Sequence, residues 1–178
     1  MFLLGVFLNV IVGGICASPA ALAGVAEEYK VKAAFFYHFA RFIEWPSERF
    51  LSDEDPFRIC IVGENPFQGA LRKTLSGKTV HGRPFRLLQS PDDAVLTQCH
   101  VVFIGEGSAD RSKRITDAVH GQGVLTIGES ADFIRQGGIV RLFLADNKVR
   151  FGINPQAAQR ANLEISSKLL RLAKIESP

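Results

Sequence analysis

The segment FRICIVG, residues 57–63, is the clearest indication of the fold class of this chain. It is a short run of mostly apolar, β-branched residues that ends in Gly, a pattern typical of a strand buried on both faces. Two similar runs follow, HVVFIG at residues 100–105 and VLTIG at residues 124–128. Strands of this kind separated by helices favour an α/β domain built around a largely parallel sheet.

A helix-start signal stands shortly after each run: Asn65 with Pro66, Ser108, and Ser130. Asn and Ser side chains accept hydrogen bonds from first-turn N–H groups, and Pro fits the first helical position. We therefore predict helices to about residue 75, to about residue 120, and from residue 130 to Gly137. Between them, residues 78–89 alternate like two strand pieces around a bend, and residues 90–93 begin a short helix.

The end of the chain has a different pattern. Residues 139–144 and 148–153 predict two strands joined at Asp146 and Asn147, which is an antiparallel hairpin. Asn154 and Pro155 then begin a final helix whose apolar side runs from Ala157 to Leu172. The predicted architecture is a three-layer α/β domain, with a largely parallel sheet, a C-terminal antiparallel hairpin and flanking helices.

The segment VKAAFFYHFARFIEWP, residues 31–46, belongs to a predicted helix that begins at residue 27. The helix is expected to end at Trp45, because Pro46 follows it. Helical spacing predicts that Phe35, Phe39 and Phe42 form its buried stripe. Three other side chains fall on other faces of this helix, namely Tyr37, Arg41 and Trp45. Tyr, Trp and Arg concentrate binding energy in protein interfaces, so these three are candidate partner-binding residues.

The first 23 residues contain no charged side chain and end in Ala21-Leu22-Ala23. An apolar run followed by small residues predicts a cleavable secretory signal peptide. No Lys or Arg precedes the apolar run, so an uncleaved membrane anchor is the alternative. The signal peptide would leave residues 24–178 as a single exported domain.

Cleavage would leave two cysteines, Cys60 and Cys99. An even number of cysteines in an exported chain favours a disulfide. Two buried free thiols are the alternative, which would apply if the chain stayed in the cytosol.

The sequence shows no motif for catalysis or for a cofactor. Glu64, Glu106 and Glu129 each follow the Gly that ends a predicted strand, and carboxylates there oppose phosphate binding. Neither a phosphate-binding glycine motif nor a nucleophile elbow is present, and the histidines lack metal-ligand spacing. We expect these acids to be solvated, and we expect no catalytic residue, metal or cofactor.

The chain carries a net charge of +3 with scattered charges, so a nucleic-acid footprint is not indicated. Basic side chains of the predicted hairpin and final helix could form one surface for an acidic partner; they are Arg141, Lys148, Arg150, Lys168 and Arg171. An ordinary solvated face is the alternative. Within this group, Arg150, Lys168 and Arg171 are candidate partner-binding residues.

A set of short motifs runs in order from Tyr29 to Ala173. They are Lys32, Ala33-Ala34-Phe35, Phe39, Arg41-Phe42, Glu44-Trp45-Pro46, Ile59 to Gly63, Pro66-Phe67, Gly77-Lys78, Gly82-Arg83, Cys99-His100, Val101 to Ile104, Leu125-Thr126, Phe133, Gly137-Gly138, Val149 to Asn154, Ala157-Ala158 and Ile165 to Ala173. In these residues the sequence resembles the YfiR-like family of small exported bacterial proteins, and the segments from Val149 onward are the most specific part of the resemblance.

The resemblance implies a periplasmic protein that represses an inner-membrane diguanylate cyclase by binding its periplasmic region. An outer-membrane, peptidoglycan-associated lipoprotein then sequesters the repressor, so that envelope stress controls cyclic-di-GMP, motility and biofilm formation. It also implies a homodimer without catalytic activity, and it places Cys60 and Cys99 on family cysteine positions. A second, later cysteine pair is absent here. The alternative function is a periplasmic small-ligand sensor that serves a membrane histidine kinase or another receptor.

Overall fold

A computed structural model describes residues 19–89, 92–105 and 109–178, with side chains described from residue 23 onward except at 109 and 110. Its helices are α1 Pro19–Phe42, α2 Ala70–Leu75, α3 Ala109–Ala118, α4 Pro155–Arg160 and α5 Ser167–Leu170. Its strands are β1 Ile43–Glu44, β2 Phe57–Val62, β3 Thr79–Val80, β4 Arg83–Gln89, β5 Val101–Ile104, β6 Leu125–Gly128, β7 Val140–Ala145, β8 Lys148–Ile153, β9 Glu164–Ile165 and β10 Lys174–Ile175. Two 3-10 helices, Ser47–Arg49 and Asp93–Gln98, complete the elements.

The main sheet has the strand order β10-β8-β7-β6-β5-β2-β4-β3. Strands β4, β2, β5, β6 and β7 are parallel neighbours, with Ile61 level with both Gln89 and Phe103. The predicted hairpin is present as the antiparallel pair β7 and β8, in which Leu142 faces Phe151. The predicted α/β class, with its mostly parallel sheet and its C-terminal hairpin, is confirmed.

Side chains alternate between the two faces of the sheet and so supply two apolar clusters. In β5, Val101 and Phe103 join the cluster that contains residues of α1 and α2, whereas Val102 and Ile104 join the one that contains Ile115 of α3. Helices therefore cover both faces and make three layers.

Helix α1 differs from the prediction at both ends and in its phase, since it begins at Pro19 rather than at residue 27. It ends at Phe42, and the next two residues form β1, which pairs with β9. Hydrogen bonds to β9 replace those of a continued helix, so Trp45 lies beyond the helix. Phe36 and Phe39 are fully buried, but Phe35 and Phe42 are only partly buried. Phe39 is therefore confirmed as a core residue, and Phe35 and Phe42 pack against the core from its edge, whereas the prediction missed Phe36.

The long final helix was also wrong. Helix α4 stops at Arg160, and Asn162 has a φ of 57°, a left-handed conformation that breaks a helix. The chain then forms β9 before Ser166 caps α5 by accepting a hydrogen bond from the Lys168 N–H. The break lets one segment supply a strand partner for β1, which a continuous helix could not do.

Two other predicted helix starts give turns instead. Asn65 Oδ1 accepts a hydrogen bond from Phe67 N–H at 3.1 Å, and α2 begins only at Ala70. After Ser130 the described chain forms turns, not a helix. There Phe133 packs so closely on Gly138 that an added Cβ would lie 2.2 Å from its ring.

Several predictions lie wholly or partly outside the described residues, namely most of the signal peptide, the first two residues of the short helix predicted from residue 90, Glu106 and the cap at Ser108. Among the helices that the structure describes, none is both long and apolar enough to cross a membrane. The predicted cleavage site after Ala23 lies inside α1, and both the cleavage and the domain limits stay predictions.

Candidate partner-binding site

The rings of Trp45, Phe50 and Phe57 form the floor of a cleft beside β1, which we call the Trp45 cleft. The His100 imidazole lies between Phe50 and Phe57, with centroid distances of 4.5 and 4.8 Å and nearly parallel planes. Trp45 meets the Phe57 ring edge-on at 4.9 Å and donates its Nε1–H to the His100 carbonyl at 3.1 Å. These contacts fix the Trp45 indole, which is only partly buried, in one orientation.

His100 is fully buried and uses both ring nitrogens. Its Nδ1 accepts the Arg58 backbone N–H at 3.0 Å, so the proton belongs on Nε2, which lies 3.3 Å from the Arg49 carbonyl. Burial, together with the nearby Arg49 charge, lowers the pKa of His100 to about 4. The ring is therefore neutral at neutral pH and serves as a structural bridge.

A disulfide joins Cys60 of β2 to Cys99, next to this stack, as predicted from the cysteine count and the resemblance. Both cysteines are fully buried. The Arg49 Nη2–H donates to the Cys99 carbonyl at 2.8 Å, so the loop after β1 is tied to the same point of the chain. Burial and the neighbouring Arg58 lower the pKa of Arg49.

The cleft has a volume of about 700 Å³. Its wall and rim are formed by residues of β1, of the loop after it, and of the β3–β4 turn; they are Ile43, Glu44, Ser47, Leu51, Ser52, Asp53, Val80, His81 and Arg83. Arg83 lies over the Phe50 ring at 4.1 Å and donates to the Ser52 and Asp55 carbonyls. Leu51 is 91% exposed on the rim.

A cationic patch lies next to the cleft, around Tyr37. The Lys78 Nζ is 4.6 Å from the centre of the Tyr37 ring, and the Arg41 guanidinium carbon is 5.7 Å from it. Both cations are exposed, and neither forms an ion pair within the described residues. Tyr37 also contacts Phe85, which contacts Phe57 of the cleft floor. We call Tyr37, Arg41 and Lys78 the cationic patch.

The glutamates that follow the strands differ in exposure. Glu64 is exposed, as predicted, and Glu106 lies outside the described residues. Glu129 corrects the prediction, because its side chain is only 14% exposed and pairs with the Lys32 Nζ. Its other oxygen accepts the Tyr29 hydroxyl at 3.1 Å. Lys32 also pairs with Glu28, so Glu129 ties α1 to the end of β6.

Among the described residues, no group of three or more His, Cys, Asp or Glu side chains is placed to bind a metal ion. Glu28 and Glu129 do lie close together, but both carboxylates are paired with Lys32.

The basic residues near the C-terminus separate into two kinds. Arg141 makes a two-pronged ion pair with Glu176, at 3.0 and 2.6 Å, which lowers the pKa of that carboxyl group. It therefore belongs to the internal structure. Arg150 on β8, Lys168 on α5 and Arg171 are exposed, and their joint use as a binding surface stays a prediction.

A protein-family model, DUF4154, described as YfiR/HmsC-like, matches residues 29–174. The protein belongs to the YfiR/HmsC-like family. The match spans most of the chain and confirms the resemblance inferred from its motifs. It includes every residue of the Trp45 cleft and of the cationic patch.

Solved structures share the fold. A conserved domain protein from Vibrio cholerae O1 biovar El Tor N16961 matches with a TM-score of 0.52 and 13% identity, over 67% of this chain and 54% of that one. An ABC domain from Streptococcus pneumoniae, in complex with L-Trp, matches with a TM-score of 0.50 and 7% identity, over 68% and 55%. The match thus spans about half the length of each, and at such identities it concerns the fold alone.

The sequence indicates Trp45, Tyr37 and Arg41 as candidates, and their role in binding stays a prediction, but it does not indicate most of the residues that the structure places around them. Phe50 and His100 are far from each other and from Lys78 and Arg83 along the chain, and their own local patterns do not indicate proximity. The pair Cys99-His100 gave the one usable signal, because a disulfide between Cys60 and Cys99 necessarily brings His100 close to β2.

Proposed function

We propose that this protein is a periplasmic regulator that represses an inner-membrane diguanylate cyclase by binding the periplasmic region of the cyclase. The observation that carries the proposal is the family match over residues 29–174, because the family is one of periplasmic regulators rather than catalysts. The protein thereby controls cyclic-di-GMP, biofilm formation and motility.

The binding surface in this proposal combines the Trp45 cleft with the cationic patch. Aromatic side chains that are already held in place lose little freedom on binding, and this favours affinity. Trp, Tyr and Arg are also the residue types most often found at the centre of interfaces. Arg150, Lys168 and Arg171 are proposed as a second contact surface, since their side chains are exposed.

The proposal includes export. Residues 1–23 act as a cleaved signal peptide and residues 24–178 as the mature domain, in the periplasm. A buried disulfide between Cys60 and Cys99 suits this oxidising compartment. We further propose that the mature protein forms a homodimer, and that an outer-membrane, peptidoglycan-associated lipoprotein withdraws it from the cyclase.

The experiment is deletion of the gene followed by measurement of cyclic-di-GMP and of biofilm. Both should rise, and expression of the wild-type gene should restore the original level. Unchanged cyclic-di-GMP in the deletion strain, together with no diguanylate cyclase recovered on the purified protein from solubilised membranes, would contradict the proposal.

A small-ligand sensor that serves a membrane histidine kinase is the second candidate. It is favoured by the Trp45 cleft, whose volume of about 700 Å³ falls within the usual range of about 300–1,000 Å³ for ligand pockets. A ligand that binds only the folded state raises the melting temperature. A thermal-shift screen of metabolites, repeated with a Ser47→Trp variant that fills the cleft, tests it.

A further inference from the structure

The hairpin of β7 and β8 projects beyond the rest of the main sheet. Strand β6 is paired with β7 only as far as Arg141, and β10 is level only with Gly152 and Ile153 of β8. Over residues 142–151 each strand of the hairpin therefore has the other as its only strand neighbour in the described chain. A two-stranded hairpin is marginally stable by itself, so this arm depends on what packs against its faces.

Helix α1 covers only part of the inner face of the hairpin. Phe39 of α1 packs on Phe151, with ring centroids 5.4 Å apart, and Leu142 opposite Phe151 is fully buried. Because side chains alternate along a strand, the next pair on the same face is Leu144 and Val149. Leu144 is 51% exposed, so the core-facing side of the hairpin continues past the part that α1 covers.

A groove of about 740 Å³ lies between this uncovered pair and the first turns of α1, and we call it the α1–hairpin groove. Its apolar lining consists of Val25 and Val31 from the helix and of Leu144 and Val149 from the hairpin. Among the described residues six large apolar side chains are exposed, and three of them, Val25, Val31 and Leu144, line this groove. Exposed apolar side chains that cluster in this way mark an interaction surface, whereas singly scattered ones do not.

The two walls of the groove carry opposite charges. Glu27 lies on the helix wall and pairs with the exposed Lys30, a kind of pair that contributes little. Lys148 and Arg150 lie on the hairpin wall, are exposed, and form no ion pair within the described residues. An acidic occupant would be repelled by the helix wall and a basic one by the hairpin wall. A two-fold rotation instead places the helix wall of one copy against the hairpin wall of another, so that opposite charges meet.

We propose that the α1–hairpin groove binds a second copy of this chain in a symmetric homodimer. Leu144 and Val149 of each copy pack on Val25 and Val31 of the other, and Glu27 of each copy meets the basic hairpin wall of the other. The inference rests on the proposed function, because it supplies the surface for the homodimer that the proposed function includes.

This surface leaves the candidate partner-binding site open. In the strand order of the main sheet the hairpin stands near one end, whereas β4 and β3, beside the Trp45 cleft and the cationic patch, stand at the other end. A dimer joined through the hairpins therefore presents two separate Trp45 clefts and can hold two partner chains. Arg150 then contacts the second copy, and Lys168 and Arg171 remain for the second contact surface.

Sedimentation velocity of the exported protein, purified from the periplasm, tests the oligomeric state. The wild type should be a dimer at micromolar concentration. Leu144→Asp places a charge in the apolar pair and should give a monomer, whereas Leu172→Asp, at a 75%-exposed site outside the groove, should leave the dimer intact. A monomeric wild type, or a Leu144→Asp protein that dimerises as the wild type does, would overturn the proposal.

Exchange of charges tests the two-fold arrangement with side chains whose exposure makes a folding defect unimportant. Glu27→Arg and Lys148→Glu should each weaken the dimer about tenfold, since like charges then face each other in both symmetric contacts. An equimolar mixture of the two variant proteins should recover the wild-type affinity, because in the mixed dimer every introduced charge faces an opposite one. Single variants of unchanged affinity, or a mixture that recovers nothing, would show that these walls do not meet across a two-fold axis.

Photo-crosslinking in living cells identifies the occupant of the groove. The photoreactive residue p-benzoylphenylalanine replaces Val31 in the groove, with Leu172 as the matched control position. We expect a product of twice the mass of the chain from Val31 and none from Leu172. A Val31 crosslink to a different protein alone would show that another partner occupies the groove, and the dimer proposal would be wrong.

Failure of this inference is distinguishable from failure of the proposed function. If gene deletion raises cyclic-di-GMP but the exported protein is monomeric, the dimer surface is wrong and the regulatory function stands. If deletion leaves cyclic-di-GMP unchanged while the charge exchange and the Val31 crosslink appear as expected, the function is wrong and the dimer surface stands.

Discussion

His100 shows how one buried side chain can make stability depend on pH. Its pKa is about 4 in the folded protein, below the ordinary value of 6.5. The unfolded chain therefore binds a proton more readily than the folded protein between these values. Stability from the neutral ring is present above pH 6.5 and is lost as the pH falls toward 4.

We predict that the wild-type protein loses about 2 kcal/mol of unfolding free energy through His100 between pH 7 and pH 5. Urea unfolding at both pH values measures it. His100→Phe keeps a ring between Phe50 and Phe57 but cannot titrate, so its stability should change less over this interval. The variant also leaves the Arg58 N–H without its acceptor, which should cost about 1–3 kcal/mol at pH 7. An identical pH dependence in both proteins would contradict the assignment.

At the scale of elements, the disulfide joins β2 to the segment that enters β5. Cys60 and Cys99 are 39 residues apart in sequence, and a loop of this length gives about 4 kcal/mol of stabilisation in the chain-entropy model. We predict that the double variant Cys60→Ala/Cys99→Ala loses stability of this order, because both side chains are also fully buried. Chemical unfolding under non-reducing conditions measures the loss.

Mass spectrometry of the unreduced mature protein provides the control for that experiment, since it should show the Cys60–Cys99 linkage. Free thiols at both positions, or a double variant as stable as the wild type, would show that the bridge is not a source of stability.

Helix α1 is held to the sheet by charge as well as by its phenylalanines. Lys32 is 4% exposed and contacts both Glu28 and Glu129. We predict that Lys32→Met lowers the unfolding free energy by about 2–3 kcal/mol, because it leaves two largely buried carboxylates without their cation. Glu129→Gln should relieve part of this loss in the double variant. Urea unfolding of the four proteins in a double-mutant cycle gives the coupling, and a coupling near zero would mean that the pair does not hold α1.

The elements differ in how well their sequences predict them. The apolar strands β2, β5 and β6 are evident from sequence, because burial on both faces requires an unbroken apolar run. The hairpin β7 and β8 is equally evident from its turn residues. The end of α1 and the break after α4 are not evident from sequence, because both depend on the pairing of β1 with β9. Strands of only two residues leave no periodic pattern that could be recognised. Part of the Trp45 cleft depends on that pairing.

At the scale of the whole molecule, a small net charge conceals an uneven distribution. Lys32 and Arg141 each face a carboxylate inside the structure. Arg41 and Lys78 instead converge on Tyr37 at the surface. Cations placed in this way cost little in stability, and under the proposed function they would steer an acidic partner toward the neighbouring cleft.

We predict that Arg41→Glu/Lys78→Glu leaves the unfolding free energy within about 0.5 kcal/mol of the wild type, since both side chains are exposed, but disrupts regulation. Cyclic-di-GMP in cells that express this variant should rise toward the level of the deletion strain, because the introduced carboxylates would repel an acidic partner surface. Arg160→Glu is the matched control, as Arg160 is exposed on α4 and forms no ion pair within the described residues. It should regulate as the wild type does. Normal cyclic-di-GMP in the double variant, at equal protein levels, would show that the cationic patch takes no part in binding.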